Sequence, residues 1–406
     1  MGSLPLEGLR VADFSWVLAG PFAAKMLADQ GAQVIKIETH YKLDGIRNYG
    51  PWRERVPTPP DGSGFFDIHN RNKLAITLNL NTPLGVDICK RLIKISDVAI
   101  ENYSVRAMKK FGLEYPVLRE VNPGLIMVSM AGMGQTGPHR EYLSFGPTLQ
   151  PLIGLTHLTG FPNGEPVGIG NSYPDFVAAL HATFAILAAL EYRARTGEGQ
   201  YIDLSQYETG VSVLGSMILD YTANGRAQGR IGNRHPTAAP HGCYRCQGKE
   251  RWCVIAVFTD EEWRSFGEVL ESPPWTQETR FATTQSRVAH ADELDGLVEA
   301  WTINYTPEEV MGRLQAAGVP AGVVQNTEDL MTRDPQMKER GFYQAVEHLV
   351  AGETVLEGVP FRFSGGTGGL RTAAPIMGQH NDYVFRDILG LTPQEMEAGL
   401  AQGAFS

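Results

Sequence analysis

The sequence is poor in cysteine, in positive charge and in long apolar runs. Four cysteines in 406 residues are too few for a disulfide framework. Lysine and arginine number 35 against 45 aspartates and glutamates, and the net charge of −10 disfavours nonspecific binding to nucleic acid or anionic lipid. No uninterrupted apolar stretch reaches the ~18 residues of a membrane span, and the first residues lack the basic and apolar parts of a signal peptide. We therefore expect a cytoplasmic protein without a nucleic-acid or membrane partner.

Several motifs of common enzyme classes are also missing. The chain has no Gly-x-Ser-x-Gly elbow, no Walker loop and no His-Glu-x-x-His helix, which removes support for a hydrolase, a kinase or a metalloprotease. Cys243 and Cys246 form one close pair near His241 and Cys253, but no second pair follows at zinc-finger spacing. Residues 365–369 are rich in glycine but lack the strand-to-helix context of a phosphate loop. We expect no metal site, a hairpin with buried thiols, and a simple glycine turn.

Composition and length describe an ordinary globular protein with more than one core. Hydrophobic residues make up 43% and charged residues 20% of the 406 positions, a length that favours two domains. Short apolar strand patterns alternate with helical patterns in the first half, which predicts a doubly wound α/β layer with a parallel sheet. The predicted strands cover residues 9–14, 34–38, 75–78, 98–101, 125–129 and 201–204, and the predicted helices between and after them include 22–30, 83–96, 105–111 and 207–224.

The composition changes after residue 224. Residues 225–242 are rich in glycine, arginine, histidine and proline without a period, as in a linker. A hairpin pattern follows, and then three helical patterns. These cover residues 243–258, 261–270, 289–303 and 307–317, and a last helix is predicted at 393–401. We therefore predict a large domain from residues 1–224, a smaller inserted α+β domain from 225–335, and a return to the large domain at 336–406.

One carboxylate stands where an apolar helix begins. Pro174 and Asp175 are both favoured at a helix start, and the apolar run 177–190 follows directly. The positive end of the helix is expected to hold the Asp175 carboxylate ionised, so that it can act as a nucleophile or base; the alternative is a simple helix cap. The large apolar residues of this helix are predicted to form its buried face, and they are Phe176, Leu180, Phe184, Leu187 and Ala188.

Two polar groups adjoin predicted strands. Arg71, Asn72 and Lys73 precede the strand at 75–78, where two cations and an amide can bind a phosphorylated ligand; the alternative is plain exposed surface. Asn102 follows the strand at 98–101, and ligand contacts gather at such strand ends in open α/β sheets, although asparagine also forms turns. For both groups the two interpretations remain open on the local pattern.

A set of short segments, in order along nearly the whole chain, resembles the class III CoA-transferases, also called the CaiB/BaiF family. None of the segments is specific alone, but the ordered set is. They are Leu6-Glu7-Gly8-Leu9-Arg10-Val11, Ala19-Gly20-Pro21, Gly31-Ala32-Gln33-Val34-Ile35-Lys36-Ile37-Glu38, Asp44-Gly45-Ile46-Arg47, Asn70-Arg71-Asn72-Lys73, Glu101-Asn102-Tyr103, Gly134-Gln135-Thr136-Gly137-Pro138, Arg195-Thr196-Gly197-Glu198-Gly199-Gln200 and Gly378-Gln379-His380.

The resemblance implies a fold and a chemistry. The fold is a Rossmann-like large domain with a smaller inserted α+β domain, in a dimer of two identical or related chains threaded as interlocked rings. The catalytic aspartate of the family falls on Asp175, which would carry CoA as an aspartyl thioester between two acids. Coenzyme A is then a substrate, and neither a metal nor a redox cofactor is expected.

The resemblance also implies which residues contact CoA. Trp16, Val17, Leu18 and Ala19 would form the loop that faces the thioester and pantetheine. The CoA side would be lined by Arg47, Arg71, Lys73, Asn102, Tyr103 and Lys110. Two residues depart from the pattern: Leu18 stands where the formyl-CoA transferases carry glutamine, and Leu74 stands where many members carry arginine. Formyl-CoA chemistry is therefore not expected.

Two alternatives and one substrate question accompany this resemblance. An α-methylacyl-CoA racemase shares the fold, but Ser144-Phe145-Gly146 stands where its members carry the Gly-His-Asp that supplies the base, and phenylalanine cannot take a proton. The other alternative is a noncatalytic CoA-binding subunit of a hetero-oligomer. The presence of Asp175 disfavours it. The expected donor is succinyl-CoA, and the apolar Leu18 favours a larger acceptor, for which we predict an aryl-substituted succinate such as benzylsuccinate.

Overall fold

The computed structural model describes residues 4–52, 60–365 and 368–406. The chain divides into two compact units. Unit 1 comprises residues 1–155, 168–225 and 336–406, and unit 2 comprises residues 156–167 and 226–335. Residues 156–167 thus group with the smaller unit, whereas the sequence analysis placed them in the large domain. Part of the predicted glycine turn, residues 366–367, lies outside the described residues.

Unit 1 is built on a six-stranded sheet in the order β3-β2-β1-β4-β5-β6, in which every neighbouring pair is parallel. The first two pairings bring Val11 opposite Val34 on one side and Val98 on the other. This order reverses direction between β1 and β4, as in dinucleotide-binding Rossmann folds, so the predicted Rossmann-like layer is confirmed. The strands are β1 Arg10–Asp13, β2 Gln33–Glu38, β3 Leu74–Thr77, β4 Val98–Glu101, β5 Ile126–Ser129 and β6 Tyr201–Asp203.

Helices cover both faces of this sheet because five of its six strands, β1 to β5, are short, apolar and largely buried. One core cluster joins strand residues such as Ile35 to α3, α5 and the C-terminal residues Phe385 and Phe405. The other joins Val11 and Val98 to α1 and α8. The helices up to residue 225 are α1 Ala19–Asp29, α2 Gly64–Asn70, α3 Pro83–Lys94, α4 Ala107–Lys110, α5 Tyr115–Val121, α6 Gly146–Leu152, α7 Leu155–Leu158, α8 Tyr173–Thr196, α9 Gln206–Ser212 and α10 Gly215–Asn224, with a 3₁₀ turn at Gly45–Asn48.

The helix α8 buries a different face from the one predicted. Its buried face is rich in alanine, and Ala178, Ala182 and Ile186 are fully covered on the helix that packs against α1. The larger side chains point away, since Leu180 is 52% exposed and Phe184 75% exposed. Alanines permit close approach of two helices, so within this chain the small face packs inward and most of the predicted face is exposed. By length and hydropathy alone, the 24 residues of α8 would pass as a membrane span, but core helices of soluble proteins pass the same test.

The remaining elements of unit 1 include features that the sequence patterns did not predict. The predicted helix at 207–224 is interrupted after Ser212 and restarts at Gly215. No residue of α10 is buried. After unit 2 the chain forms α15 Pro335–Glu339, an antiparallel hairpin of β10 Tyr343–His348 and β11 Gly352–Glu357, a π-helical turn at Tyr383–Ile388, and α16 Pro393–Ala401. Only the last helix was predicted.

Unit 2 contains a three-stranded antiparallel sheet and four helices around an aromatic core. The sheet order is β7-β8-β9. The core includes Trp263, Phe266 and Phe281, and Cys246 and Cys253 are buried in it, as the hairpin prediction had it. The elements are β7 His241–Arg245, β8 Trp252–Ala256, α11 Asp260–Val269, α12 Thr284–Ala289, α13 Ala291–Thr302, α14 Pro307–Ala316 and β9 Ala321–Val323, with short 3₁₀ or π turns at Pro274–Gln277, Thr279–Phe281 and Asp329–Arg333.

Candidate active site

The candidate site lies where the strand order reverses, at the carboxyl ends of β1 and β4. Crevices at this position bind ligands in open α/β sheets. The loop of residues 14–18 connects β1 to α1, and Asn102 follows β4. The side-chain oxygen of Asn102 accepts from the Trp16 N–H at 2.8 Å, and its NH₂ group donates to the Trp16 carbonyl at 2.7 Å. Asn102 therefore fastens the loop, a role that neither the CoA contact nor the turn interpretation had included.

The same loop contains a strained residue. Val17 has a φ of 64°, in the left-handed region, which a β-branched residue adopts only rarely. Its N–H donates to Asp44 Oδ1 at 2.9 Å. Leu18 then precedes α1 and offers no side-chain acceptor to the first amides of that helix.

The carboxyl group of Asp175 is 7% exposed in the first turn of α8. The Asp175 N–H donates to the Ser172 carbonyl at 3.0 Å, and the peptide N–H groups of Asp175 and Ala19 act to lower the pKa of the carboxyl group. Its Oδ2 is buried and has no hydrogen-bond partner. Burial raises the pKa of Asp175 to about 6, although the two N–H groups act to lower it. Burial thus outweighs the helix end in setting the pKa, and the group is still mostly ionised at neutral pH.

Gly146, the first residue of α6, closes the other side of the carboxylate. A Cβ added to Gly146 would overlap Asp175 Oδ2 and would lie 2.6 Å from the Cβ of Ser172. The missing side chain thus gives Oδ2 the space it occupies. In the segment 144–146, Phe145 is 63% exposed and supplies no proton acceptor beside the carboxylate.

Three of the predicted CoA-contacting cations are buried in internal ion pairs. Arg47 makes a two-pronged pair with Glu38 (2.8 and 2.7 Å), and Arg71 does the same with Asp29 (3.1 and 2.8 Å).

Lys73 is the third of these cations. Its Nζ donates to Asp13, Asn70 and the Pro21 carbonyl, at 2.8 to 3.0 Å. The side chains of Arg47, Arg71 and Lys73 are at most 2% exposed. As placed here, these cations hold the sheet edge together and offer almost no surface to a phosphate. This differs from the CoA-lining role predicted for them and from the alternative of plain exposed surface.

The other predicted contacts are distributed differently. Lys110 is exposed at the end of α4. Trp16 and Tyr103 pack edge to face with ring centroids 5.4 Å apart, and the Trp16 Nε1 is buried without a partner. Leu18 is only 4% exposed, so its side chain is part of the core and not of the loop surface.

An exposed cation that the sequence analysis did not single out, Lys42, lies with its Nζ 5.0 Å from the Trp16 ring centroid.

Two further buried titratable groups adjoin the site. Glu101 ends β4 and accepts a hydrogen bond from the Tyr103 N–H at 2.8 Å. Burial raises the pKa of Glu101 to about 7, although this N–H and the Ser129 side chain act to lower it. His69 lies among the rings of Phe22, Phe65 and Phe176, and neither of its nitrogens has a partner. Burial lowers the pKa of His69 to about 3, so this imidazole is neutral at every working pH.

Sequence reasoning missed Asp44 and Gly146 as site residues. Asp44 belonged to a matched segment but received no role, because its partner Val17 lies 27 residues away in the chain. Gly146 was noted only as a departure from the racemase pattern, since close approach to Asp175 is a three-dimensional property.

Comparisons with known proteins point to the same kind of site. Residues 6–381 match the model described as CoA-transferase family III. The succinyl-CoA–D-citramalate CoA-transferase of Chloroflexus aurantiacus is 36% identical over 97% of this chain and 96% of its own. The beta subunit of the succinyl-CoA–L-malate CoA-transferase from the same organism is 31% identical over 97% and 96%. The crystal structure of a CaiB/BaiF family protein from Brucella suis superposes with a TM-score of 0.87 at 32% identity, covering 96% of this chain and all of the other. The chain therefore belongs to CoA-transferase family III, and it is an enzyme of the transferase class.

Proposed function

We propose that this enzyme moves CoA from succinyl-CoA to a free carboxylic acid, and that Asp175 carries the CoA between the two acids. The observation that carries the proposal is the Asp175 carboxylate itself. It is desolvated, its Oδ2 fills the space that a side chain at Gly146 would occupy, and that oxygen has no hydrogen-bond partner. A carboxylate in this state is a stronger nucleophile than one solvated by water.

The first half of the reaction loads the enzyme. An Asp175 oxygen attacks the carbonyl carbon of the donor thioester, the C–S bond breaks, and a mixed anhydride and a CoA thiolate result. The thiolate then attacks the aspartyl carbonyl carbon, the anhydride C–O bond breaks, and the donor acid leaves. The products are an aspartyl-CoA thioester and free succinate, and no net proton is exchanged.

The second half repeats these steps with the acceptor. The acceptor carboxylate attacks the aspartyl thioester, CoA thiolate leaves, and a second mixed anhydride forms. The thiolate attacks the acceptor carbonyl, which releases the acceptor-CoA thioester and regenerates Asp175. Covalent catalysis thus divides a poor exchange between two carboxylates into accessible steps.

For the acceptor we propose a dicarboxylic acid. The named relatives act on citramalate and malate, which are both short dicarboxylates. Benzylsuccinate is the aryl-substituted member of the same class, and it remains our candidate for a larger acceptor. The buried position of Leu18 weakens the argument that this side chain itself lines an apolar acceptor pocket.

An acceptor screen tests this proposal. The purified enzyme is mixed with succinyl-CoA and one acid at a time from a panel of malate, citramalate, glutarate, benzylsuccinate, acetate and butyrate, and the thioesters are identified by mass spectrometry. We expect new CoA thioesters of dicarboxylates and none above background for the two monocarboxylates. Transfer only to monocarboxylates would contradict the dicarboxylate assignment, and racemisation of an α-methylacyl-CoA without transfer would contradict the reaction class.

We also propose that the enzyme works as a dimer with a second family chain, in the simplest case a copy of itself. Unit 1 exposes large apolar side chains on two helices. They are Leu180, Phe184 and Leu187 on α8 and Ile218, Leu219 and Tyr221 on α10. Large exposed apolar side chains on neighbouring turns of a helix are typical of a protein interface, and a permanent dimer would bury them.

Replacing Phe184 and Leu219 together by glutamate should break this dimer. Each substitution places a charge in the proposed interface, where burial without a partner is costly. We expect a dimeric mass for the wild type and a monomeric or aggregated species for the double variant in size-exclusion chromatography with light scattering. Leu400→Glu, at a residue 70% exposed on α16, is the matched control and should leave the mass unchanged. A wild type that is monomeric on its own would point to a different family chain as partner.

A further inference from the structure

We infer that Gln150 is a positioning residue for the nucleophile: its side chain, on α6, holds the backbone of Ile169 and Asn171 and so fixes the point at which the chain enters α8. This inference rests on the proposed function, because it assigns Gln150 to the reaction proposed for Asp175. Gln150 acts through the backbone that leads to Asp175 and takes no part in bond making.

The segment that leads into α8 has no regular structure of its own. Residues 168–172 belong to no helix or strand, and most of them are exposed. Gly168 and Gly170 stand on either side of Ile169, and glycine leaves a chain freer than any other residue. A segment of this kind fixes the start of α8 only if another part of the protein holds it.

Gln150 provides such a hold. Its side chain is 4% exposed, its Oε1 accepts from the Ile169 N–H at 3.1 Å, and its Nε2 donates to the Asn171 carbonyl. One planar amide thus binds the backbone at two points, which fixes the direction of the segment as well as its place. The amide is itself anchored, because α6 packs against α8 and α9 and the neighbouring Leu149 is fully buried.

Hydrogen bonds continue from this hold to the nucleophile. The Asn171 carbonyl also accepts from the Tyr173 N–H at 2.8 Å, and Asn171 Oδ1 accepts from the Ser172 N–H at 2.9 Å. The Ser172 carbonyl in turn accepts from the Asp175 N–H at 3.0 Å. A shift of Asn171 would therefore be passed to the first turn of α8.

The same helix α6 closes on the carboxylate itself. Gly146 and Gln150 lie about one helical turn apart, and hence on one face of α6. A Cβ added at Gly146 would overlap Asp175 Oδ2 and would lie 2.9 Å from Ser172 Oγ. The carboxylate therefore has little room against α6, and a displacement of ~1 Å can cost about 10²-fold in rate. Gln150 keeps α6 and the segment before α8 in register at this contact.

The pH profile reports on the enclosure of the nucleophile. Burial raises the pKa of Asp175 to about 6, and no charged side chain contributes to this shift. The nucleophile must be ionised, so kcat/KM of the wild type should fall tenfold per pH unit below about pH 6. If the segment before α8 loosens, water reaches Oδ2, the pKa falls, and the acidic limb of the profile moves to lower pH.

Gln150→Met tests the inference, because methionine has a similar length but neither binds the Ile169 N–H nor donates to the Asn171 carbonyl. We expect kcat to fall by about 10- to 100-fold and the acidic limb to move to lower pH. KM for succinyl-CoA should change less than about threefold, since Gln150 binds only backbone of this chain. Where Gln150→Met does not fold, Gln150→Asn keeps the amide but cannot reach, and it should show the same changes.

A second substitution distinguishes positioning from stability. Gly170 has no positive φ, and an added Cβ would meet no atom within 4 Å, so alanine fits there and restricts the segment. Gly170→Ala should leave the wild-type kcat within about twofold and should recover at least about threefold of the kcat lost in Gln150→Met.

Gln206→Met is the matched control. Gln206 is a buried glutamine on α9 whose Nε2 donates to the Met130 carbonyl at 2.8 Å, away from the segment before α8. Its loss should lower thermal stability and leave the acidic limb in place.

The outcomes separate this inference from the proposed function. A loss of kcat in Gln150→Met with an unmoved acidic limb, or one that Gly170→Ala does not reduce, would show a merely structural role and would overturn the inference. Wild-type kcat in Gln150→Met, in an enzyme whose wild type forms the aspartyl-CoA adduct, would overturn it as well and leave the proposed function intact. A wild type that exchanges CoA without any adduct would instead overturn the proposed function.

Discussion

Asp175→Ala is expected to lower the rate of CoA exchange by at least about 10⁴-fold while acyl-CoA still binds. The substitution removes the only group proposed to bond covalently to the acyl and CoA moieties, so no part of the two-stage reaction survives it. The loop of residues 14–18 is held by Asp44 and Asn102 and not by Asp175, so binding should be largely retained. The exchange rate is measured with labelled succinate and succinyl-CoA, and binding is measured by calorimetry with CoA.

The matched control is Asp87→Ala, which removes an exposed aspartate on α3 and should leave the exchange rate unchanged. Chemical trapping gives an independent readout. Hydroxylamine and borohydride should inactivate the wild type only after an acyl-CoA has been added, because only the loaded aspartyl group is susceptible. Full exchange activity in Asp175→Ala would refute the covalent mechanism.

Gly146→Ala is expected to have the second largest effect, a loss of about 10²-fold in kcat. The added methyl group would overlap Asp175 Oδ2 and press on Ser172, so the carboxylate must move from its place. The φ of Gly146 is not in the left-handed region, and the cost therefore comes from the overlap and not from backbone strain. A displacement of this size is enough to misalign a nucleophile with a thioester carbonyl.

Gly296→Ala serves as the control for this substitution. An added Cβ at Gly296, inside α13, would meet no atom within 4 Å, and alanine is the better helix former. We expect unchanged kcat and equal or higher thermal stability. Wild-type kcat in Gly146→Ala would mean that the carboxylate does not need the position described here.

The sheet was the most predictable part of this protein. Short apolar runs such as Val98–Glu101 indicate parallel strands when helical patterns separate them. All six strands lie within a residue or two of their predicted bounds. The face of α8 was not predictable by the same logic. Large side chains such as Phe184 look like core residues, yet the buried face of α8 is rich in alanine. Small side chains let α8 lie close to α1, and their size alone does not reveal this.

The site, too, was predictable only in part. Asp175 stood out in the sequence through its place at a helix start and through the family resemblance. Its raised pKa did not, because burial depends on how α1 and α6 enclose the carboxyl group. Arg47 was predicted to line the CoA site from the family resemblance, and Arg71 also because two cations and an amide adjoin a strand. In the structure both are paired with carboxylates, Arg47 with Glu38 nine residues away and Arg71 with Asp29 42 residues away.

Intact-mass analysis of the wild-type enzyme mixed with succinyl-CoA tests the covalent step most directly. The account predicts a species heavier than the free chain by CoA less one water, and peptide mapping that places the added mass on Asp175. An enzyme that exchanges CoA at full rate and never shows this adduct, in the steady state or after rapid quenching, would contradict it.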